Sequence, residues 1–136
     1  MMKEITSVHN AAAQLLRELQ KPRARREHGL FVCESAKMVG EAVALHLAQT
    51  LFVEKGREAE YAQMAAQAES MGCALYVVSQ AVMQAVSTAK TPQGIVCTAK
   101  IPEPRKTLTG KRIVALDGVQ DPGNVGTILR TADAAG

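Results

Sequence analysis

Aromatic side chains are scarce in this chain, and tryptophan is absent. Aromatic residues make up 3% of the 136 residues, so the core must be aliphatic, and proteins that read nucleic acid through rows of stacked rings are disfavoured. No stretch of about 18 apolar residues occurs, and the first residues, MMKEIT, lack the apolar segment of a signal peptide. The sequence therefore predicts neither a membrane span nor export, and it indicates a cytoplasmic protein.

Cysteine is present, but its pattern fits neither a disulfide framework nor a zinc site. Cys33, Cys73 and Cys97 are odd in number, far apart and set in apolar runs. Free cysteine behaves as a small buried hydrophobic residue in reducing compartments. We therefore expect reduced, buried thiols and no bound metal.

The remaining composition is that of an ordinary globular protein, with 47% hydrophobic and 21% charged residues. Apolar patterns predict strands at residues 30–33, 50–53, 74–78 and 95–99. Helical patterns predict one helix that begins after Ser7 and stops at Pro22, and further helices over residues 36–47, 57–71 and 79–86. This alternation is typical of an α/β domain in which helices cover a sheet.

The composition changes after residue 99. Residues 101–106, IPEPRK, contain two prolines and mixed charges, which predicts a stiff, extended linker over residues 100–110. Residues 112–117 then have the pattern of a buried parallel strand, and Asp121 with Pro122 that of a helix start. We expect a domain over residues 1–99, a linker, and the beginning of a second domain over residues 111–136.

Positive charge concentrates in one short stretch, KPRARR at residues 21–26. Its four cations are Lys21, Arg23, Arg25 and Arg26. Such a cluster binds RNA or DNA by neutralising phosphates and releasing counterions. The alternative is a solvated helix end, where cations complement the helix dipole, and charge alone leaves both interpretations open.

Residues 116–136 carry the most informative pattern. An apolar stripe with helical spacing runs through them, formed by Val125, Ile128, Leu129 and Ala132. Arg130 projects away from this stripe, whereas Asn124, Thr127 and Thr131 lie along its border. Because open α/β sheets place their sites at the carboxyl ends of strands, these polar groups are candidate functional residues.

Residues 116–136 do not match either of two common phosphate-binding motifs. Gly118 and Gly123 have the spacing of a P-loop, but Asn124 and Val125 stand where lysine and serine or threonine are required. The dinucleotide-binding pattern also lacks its partner glycine. The alternative is that the glycines only permit a tight turn and that Arg130 is a surface charge.

The run LDGVQDPGNVGTILRTADAAG at residues 116–136 resembles the first motif of the SpoU/TrmH family of RNA ribose 2′-O-methyltransferases. Several upstream stretches resemble the small substrate-binding domain that precedes the catalytic domain in many members. They are Ser7, Asn10, residues 26–34, residues 87–88 and residues 92–94. One departure is Ser35, where the family usually has glycine after the glutamate.

This resemblance implies that residues 1–99 form a ribosomal-protein-like α/β sandwich that holds structured RNA, either rRNA or tRNA. It implies that residues 111–136 are the first strand and helix of an α/β-knot methyltransferase domain, whose knot is not in this sequence. It also implies S-adenosylmethionine as methyl donor, with a site mostly beyond Gly136, and no metal. The active form it implies is a homodimer, formed through the C-terminal domain that this sequence lacks.

Carried over by position, Asn124 and Arg130 match the family's asparagine and its catalytic arginine. A guanidinium stays protonated in proteins, so we expect Arg130 to bind a phosphate and stabilise developing alkoxide charge rather than act as a base. Asn124 would fix the loop or the ribose. The alternative function is a noncatalytic RNA-binding module, and a purely structural dimerisation fragment is disfavoured by the polar helix face around Arg130.

Overall fold

The computed structural model describes residues 2–136 and divides the chain into two compact units, residues 1–102 and residues 103–136. Over its described residues, 2–102, the first unit contains five strands and five helices. In chain order they are β1 (Lys3–Ile5), α1 (Ala11–Glu18), α2 (Pro22–His28), β2 (Leu30–Glu34), α3 (Ala36–Ala44), β3 (Ala48–Glu54), α4 (Ala62–Ser70), β4 (Ala74–Val78), α5 (Gln80–Val86) and β5 (Ile95–Lys100). The second unit contains α6 (Pro122–Ala135).

The sheet of the first unit has the strand order β1-β4-β3-β5-β2. Strand β4 runs parallel to β1 and β3, whereas β5 runs antiparallel to β3 and β2. Strand β3 lies at the centre, and its run Leu51, Phe52 and Val53 is fully buried, as expected for side chains that favour strands and meet helices on both faces. The predicted α/β class is confirmed.

Two apolar clusters fill the space between the sheet and its helices. One packs α3 and α4 on the sheet through side chains that include Val39, Leu51 and Ile95. The other packs α1 and α5 on the opposite face and includes Leu16 and Phe52. The core is almost entirely aliphatic, as the shortage of aromatic residues predicts.

The amino-terminal elements differ from the prediction. Helix α1 begins after Asn10, whose side chain accepts a hydrogen bond from the backbone N–H of Ala12 at 2.9 Å, so Ser7 is not the cap. The Oγ atom of Ser7 instead accepts from the N–H of His9 within the preceding turn. Strand β1 was not predicted, because it has only three residues and Ile5 is its one buried side chain.

Pro22 does not end a helical region but begins α2. Proline fits the first helical position, where its missing N–H has no partner to lose, and α1 has already ended at its C-cap, Leu19. Helix α2 ends at Gly29, which has a φ of 63°, the left-handed conformation that glycine adopts at helix ends. Helix α2 buries none of its residues, so the sequence contains no apolar stripe that predicts it.

The predicted buried strand at residues 112–117 is wrong. Ile113, Val114 and Leu116 are 58%, 53% and 40% exposed, and these residues form no strand. A strand requires a hydrogen-bonded neighbour, and the second unit contains no other strand among its described residues. Helix α6 follows the prediction, with Asp121 as its N-cap and Pro122 in its first turn.

All three cysteines are buried free thiols, as expected. Cys33 of β2 faces Cys97 of β5 in the sheet register. A hydrogen bond with Cys33, together with burial, raises the pKa of the Cys97 thiol, and burial raises the pKa of Cys73. Over residues 2–136, no helix is both long and apolar enough to cross a bilayer.

Candidate functional site

The four predicted RNA-binding cations lie on and beside α2, but they are not equivalent. Lys21 is the N-cap residue and Arg26 lies in the last turn; both side chains are exposed and have no partner among the described residues. Arg23 is paired with Glu27, with 2.6 Å between Nε and Oε1. Lys21 and Arg26 are therefore the cations that can engage a phosphate without first breaking a contact.

Arg25 has a structural role that its place in the cluster did not reveal. Its side chain is half-buried, and Nη1 donates to the carbonyl oxygens of Leu19 and Gln20, each at 2.9 Å. Carbonyl groups at the end of a helix lack intrahelical partners. Arg25 supplies partners where α1 ends and thereby fixes the corner between α1 and α2.

Arg17 is a candidate RNA contact that sequence reasoning missed. With Gln14, Glu18 and Lys21 it lines a surface groove of about 380 Å³. Arg17 lies in the last turn of α1 and Lys21 is the N-cap residue of α2, and the turn between the two helices brings both residues to this groove. Arg17 lies outside the charged cluster at residues 21–26, and only the turn between α1 and α2 relates it to that cluster.

Glu34, at the end of β2, organises the loop that follows α5. Its carboxylate accepts hydrogen bonds from the hydroxyl of Ser87 at 2.7 Å and from the hydroxyl of Thr88 at 3.0 Å. The backbone N–H of Thr88 donates to both carboxylate oxygens. Two segments on which the family resemblance rests, more than fifty positions apart, therefore meet at one carboxylate.

A second set of hydrogen bonds holds the loop before β5. The side chain of Gln93 accepts from the N–H of Ala36 at 2.9 Å, at the start of α3. The backbone carbonyl of Gln93 in turn accepts from Arg57 and from the hydroxyl of Tyr61. Residues 87–94 are thus tied to β2, α3 and the region before α4.

Ser35 lies between Glu34 and α3 in an unusual backbone conformation. Its φ of 128° falls in the region that favours glycine, which accounts for the glycine found at this position in the family. The Oγ atom of Ser35 accepts from the N–H of Met38 at 3.3 Å. Serine at this position therefore has a strained backbone conformation and gains a hydrogen bond that caps α3.

Helix α6 presents the two predicted catalytic residues. The Nη2 atom of Arg130 donates to the hydroxyl oxygen of Thr127 at 3.3 Å, and Thr127 donates to the carbonyl of Gly123 at 3.0 Å. A Cβ at Gly126 would lie 3.3 Å from Nη1 of Arg130, so glycine leaves room for the guanidinium to fold back along the helix. Asn124 is exposed, three residues before Thr127.

The residues of the second unit do not by themselves fit S-adenosylmethionine. Ligands of this size are held in concave sites that cover most of their surface. Residues 103–136 include no buried residue, and Asn124, Arg130 and Thr131 are all exposed. Nothing in this unit encloses a methyl donor.

The comparison with protein families decides the assignment of the first unit. The family described as the MRM3-like substrate binding domain matches residues 10–97. The chain belongs to this family. The match covers most of the first unit. The MRM3-like domain therefore contains α2, Glu34 and the loop at residues 87–94.

Relatives of the MRM3-like chain extend the match into the second unit. The 23S rRNA (guanosine(2553)-2′-O)-methyltransferase RlmP of Bacillus subtilis is 33% identical over 135 residues, which covers 99% of this chain and 52% of that protein. The 23S rRNA (guanosine-2′-O-)-methyltransferase RlmB of Escherichia coli K12 is 33% identical over 65% of this chain and 40% of its own length.

A solved structure shows the same relationship. The AdoMet-bound rRNA methyltransferase of Sinorhizobium meliloti superposes with a TM-score of 0.81 at 34% identity, over 99% of this chain and 52% of that protein. The resemblance to SpoU/TrmH methyltransferases is therefore confirmed. The MRM3-like chain spans about half the length of the curated relatives that it matches along nearly its whole length.

Proposed function

We propose that this chain is the RNA-holding part and the first catalytic helix of an RNA 2′-O-ribose methyltransferase that uses S-adenosylmethionine. The observation that carries the proposal is the 33% identity with the Bacillus subtilis enzyme along 99% of the chain. Residues 1–99 would hold the RNA, residues 100–110 would connect, and residues from 111 would begin the methyltransferase domain. The relatives' names favour rRNA over tRNA as the substrate.

The first unit supports RNA binding through its charge. Lys21 and Arg26 are exposed cations without partners among the described residues, and Arg17 lies beside Lys21 in the same groove. Each lysine or arginine that neutralises a phosphate releases condensed counterions and adds to the salt dependence of binding. The α1–α2 corner is therefore the surface that the RNA backbone would follow.

The second unit contributes Arg130 and Asn124. The 2′-hydroxyl is a weak nucleophile, and negative charge develops on its oxygen as it reacts. A positioned guanidinium stabilises such charge and binds the adjacent phosphate, since it supplies several donors and stays protonated. Thr127 orients Arg130 through its hydroxyl, and the amide of Asn124 would hydrogen-bond the ribose.

Two further parts of the proposal concern assembly and location. A homodimer as the active form follows from the family resemblance, and the exposed apolar side chains of Ile113, Val114 and Leu129 offer surface that a partner could cover. A cytoplasmic location fits three free thiols, because reducing compartments keep cysteine in that form.

The decisive experiment is methyl transfer to RNA by the full-length protein with Arg130→Ala. Loss of a charge-stabilising donor commonly lowers a rate by about 100- to 1,000-fold, whereas removal of an exposed charge shifts stability by no more than about 0.5 kcal/mol. We expect the variant to keep its melting temperature and lose most of its activity. Arg105→Ala, which removes an exposed arginine outside α6, is the matched control.

Activity of Arg130→Ala equal to that of Arg105→Ala would remove Arg130 from the site. If the full-length protein binds RNA but transfers no methyl group from S-adenosylmethionine, the alternative of a noncatalytic RNA-binding module stands instead.

A further inference from the structure

A groove runs beside β2, which is an edge strand of the sheet. It has a volume of about 360 Å³, within the range of about 300–1,000 Å³ that is usual for small-molecule sites. The side chains that give the groove its chemistry are Gln20, Arg25, Phe31, Glu34, Met38 and Thr88. They come from the end of α1, from α2, β2 and α3, and from the loop after α5.

Two of these side chains are planar groups that the fold holds in place. The ring of Phe31 is half-buried and packs against the apolar cluster beneath α3 and α4. The guanidinium of Arg25 is planar and is held by its two carbonyl partners at 2.9 Å. Aromatic rings and guanidinium planes are the surfaces on which proteins stack unpaired RNA bases.

Met38 adds an exposed apolar contact that the fold itself does not require. It is 48% exposed on the first turn of α3. A thioether is polarisable and adapts to the flat face of a neighbouring ring.

Two polar side chains of the groove differ in whether they are free to contact a ligand. The side-chain amide of Gln20 has no partner among the described residues, and its donor and acceptor together match the edge of a base. The carboxylate of Glu34 is already engaged by Ser87 and Thr88. Glu34 therefore shapes the wall of the groove, while Gln20 is available to contact an occupant.

The charge beside the groove points to a nucleic acid rather than a protein. An edge strand can also accept an extended peptide. However, Lys21 and Arg26 lie on α2 with exposed, unpaired side chains over the described residues, and Arg25 enters the groove itself. A polyanion satisfies these cations, whereas a neutral peptide strand does not.

We propose that this groove holds one unstacked base of the RNA, between Phe31, Arg25 and Met38, with the adjoining phosphates at Lys21 and Arg26. The inference rests on the proposed function, because it requires that the first unit bind RNA. It goes further by naming the class of target, which is an unpaired nucleotide in a loop or bulge rather than a regular duplex.

The test compares two fluorescein-labelled probes by anisotropy with the 136-residue protein. One probe is a short single-stranded RNA of mixed sequence, and the other is its blunt duplex. We expect tighter binding of the single strand. Phe31→Leu, which keeps an apolar contact with the core, should weaken that binding by about 5- to 150-fold, the range for loss of one base stacked on a ring. Met38→Ala should weaken it by about 2- to 13-fold, the range for loss of a sulfur–ring contact.

Two controls separate stacking from folding and from charge. Leu45→Ala removes an exposed apolar side chain at the other end of α3 and should leave affinity unchanged. The groove variants should keep the dependence of affinity on salt, whereas Lys21→Ala should lower its slope by about 0.7 to 0.9 for one lost phosphate contact.

Equal affinity for the two probes, with Phe31→Leu and Met38→Ala unchanged, would overturn the base-binding groove while leaving RNA binding intact. Absence of binding to either probe at low salt would overturn RNA binding by this chain and the groove together. Dimerisation that Met38→Ala removes would assign the edge of β2 to a second copy of the chain, and would also overturn the proposal.

Discussion

The two units of this chain contain similar apolar patterns, but the first unit buries its pattern and the second leaves it exposed. In the first unit, Leu51, Phe52 and Val53 form a buried central strand between β4 and β5. In the second, Ile113, Val114 and Leu116 follow an equally strand-like pattern and remain exposed without forming a strand. An apolar run defines which residues can be buried, but a neighbouring strand and a covering helix decide whether they are.

Amide hydrogen exchange should show the largest difference between the units. Opening of central β3 requires global unfolding, which costs about 5 kcal/mol or more in an ordinary domain. Amides of residues 51–53 should therefore exchange at least about 1,000-fold more slowly, relative to unstructured peptides, than those of residues 113–116. Comparable protection of both segments would show that the second unit orders its apolar run after all.

Substitution of one leucine in each unit should change the free energy of unfolding by different amounts. Leu16 is fully buried between α1 and the sheet, whereas Leu129 on α6 is 55% exposed. Leu16→Ala should lower the free energy of unfolding by about 2–5 kcal/mol, and Leu129→Ala should change it by no more than about 0.5 kcal/mol. Urea unfolding measures both. Equal losses would contradict the contrast in burial.

Arg25 and Arg26 test whether adjacent cations differ as the structure indicates. Arg25→Ala removes two charge-assisted hydrogen bonds to the end of α1, and since the side chain is only half-buried we expect a loss of about 1 kcal/mol. Arg26→Ala removes an exposed side chain and should be nearly neutral. Thermal unfolding should therefore give Arg25→Ala the lower melting temperature. A lower melting temperature for Arg26→Ala would contradict the structural role of Arg25.

Ser35 should give a small effect and the only gain in stability among these substitutions. Glycine relieves a strained φ worth about 1 kcal/mol and forgoes a cap worth a few tenths of a kcal/mol relative to glycine. The extra freedom of unfolded glycine offsets part of the remaining gain, so we expect Ser35→Gly to stabilise the chain by no more than about 0.5 kcal/mol. Ser35→Ala keeps the strain and loses the cap, so thermal unfolding should rank glycine first and alanine last.

Much of the first unit could be predicted because its patterns and its packing agree. Strands β2 to β5 and helices α3 and α5 lie where apolar spacing and capping residues indicate, as does α6 of the second unit, whereas α4 begins at Ala62 rather than at residue 57. The failures have local causes. Strand β1 is too short to show a period, α2 buries no side chain, and Asn10 rather than Ser7 satisfies the first N–H groups of α1.

The candidate site was less predictable than the fold. The roles of Arg130 and Asn124 rest on the motif and stay predictions, and the different contacts of Arg25 and Arg26 depend on where α1 ends. The groove beside β2 joins Gln20, Phe31 and Met38 across three elements. No spacing in the sequence relates these residues, because tertiary packing alone brings them together.

The pairing of β2 with β5 also sets an order of events during synthesis. In the described sheet, β5 is the only neighbour of β2, and it joins Leu30 to Lys100 across most of the unit. Helix α2 and its cations leave the ribosome long before β5 does, and closing so long a loop is intrinsically slow. The nascent chain therefore carries its positive charge before β2 has its partner strand, and β2 can pair only when translation has passed Lys100.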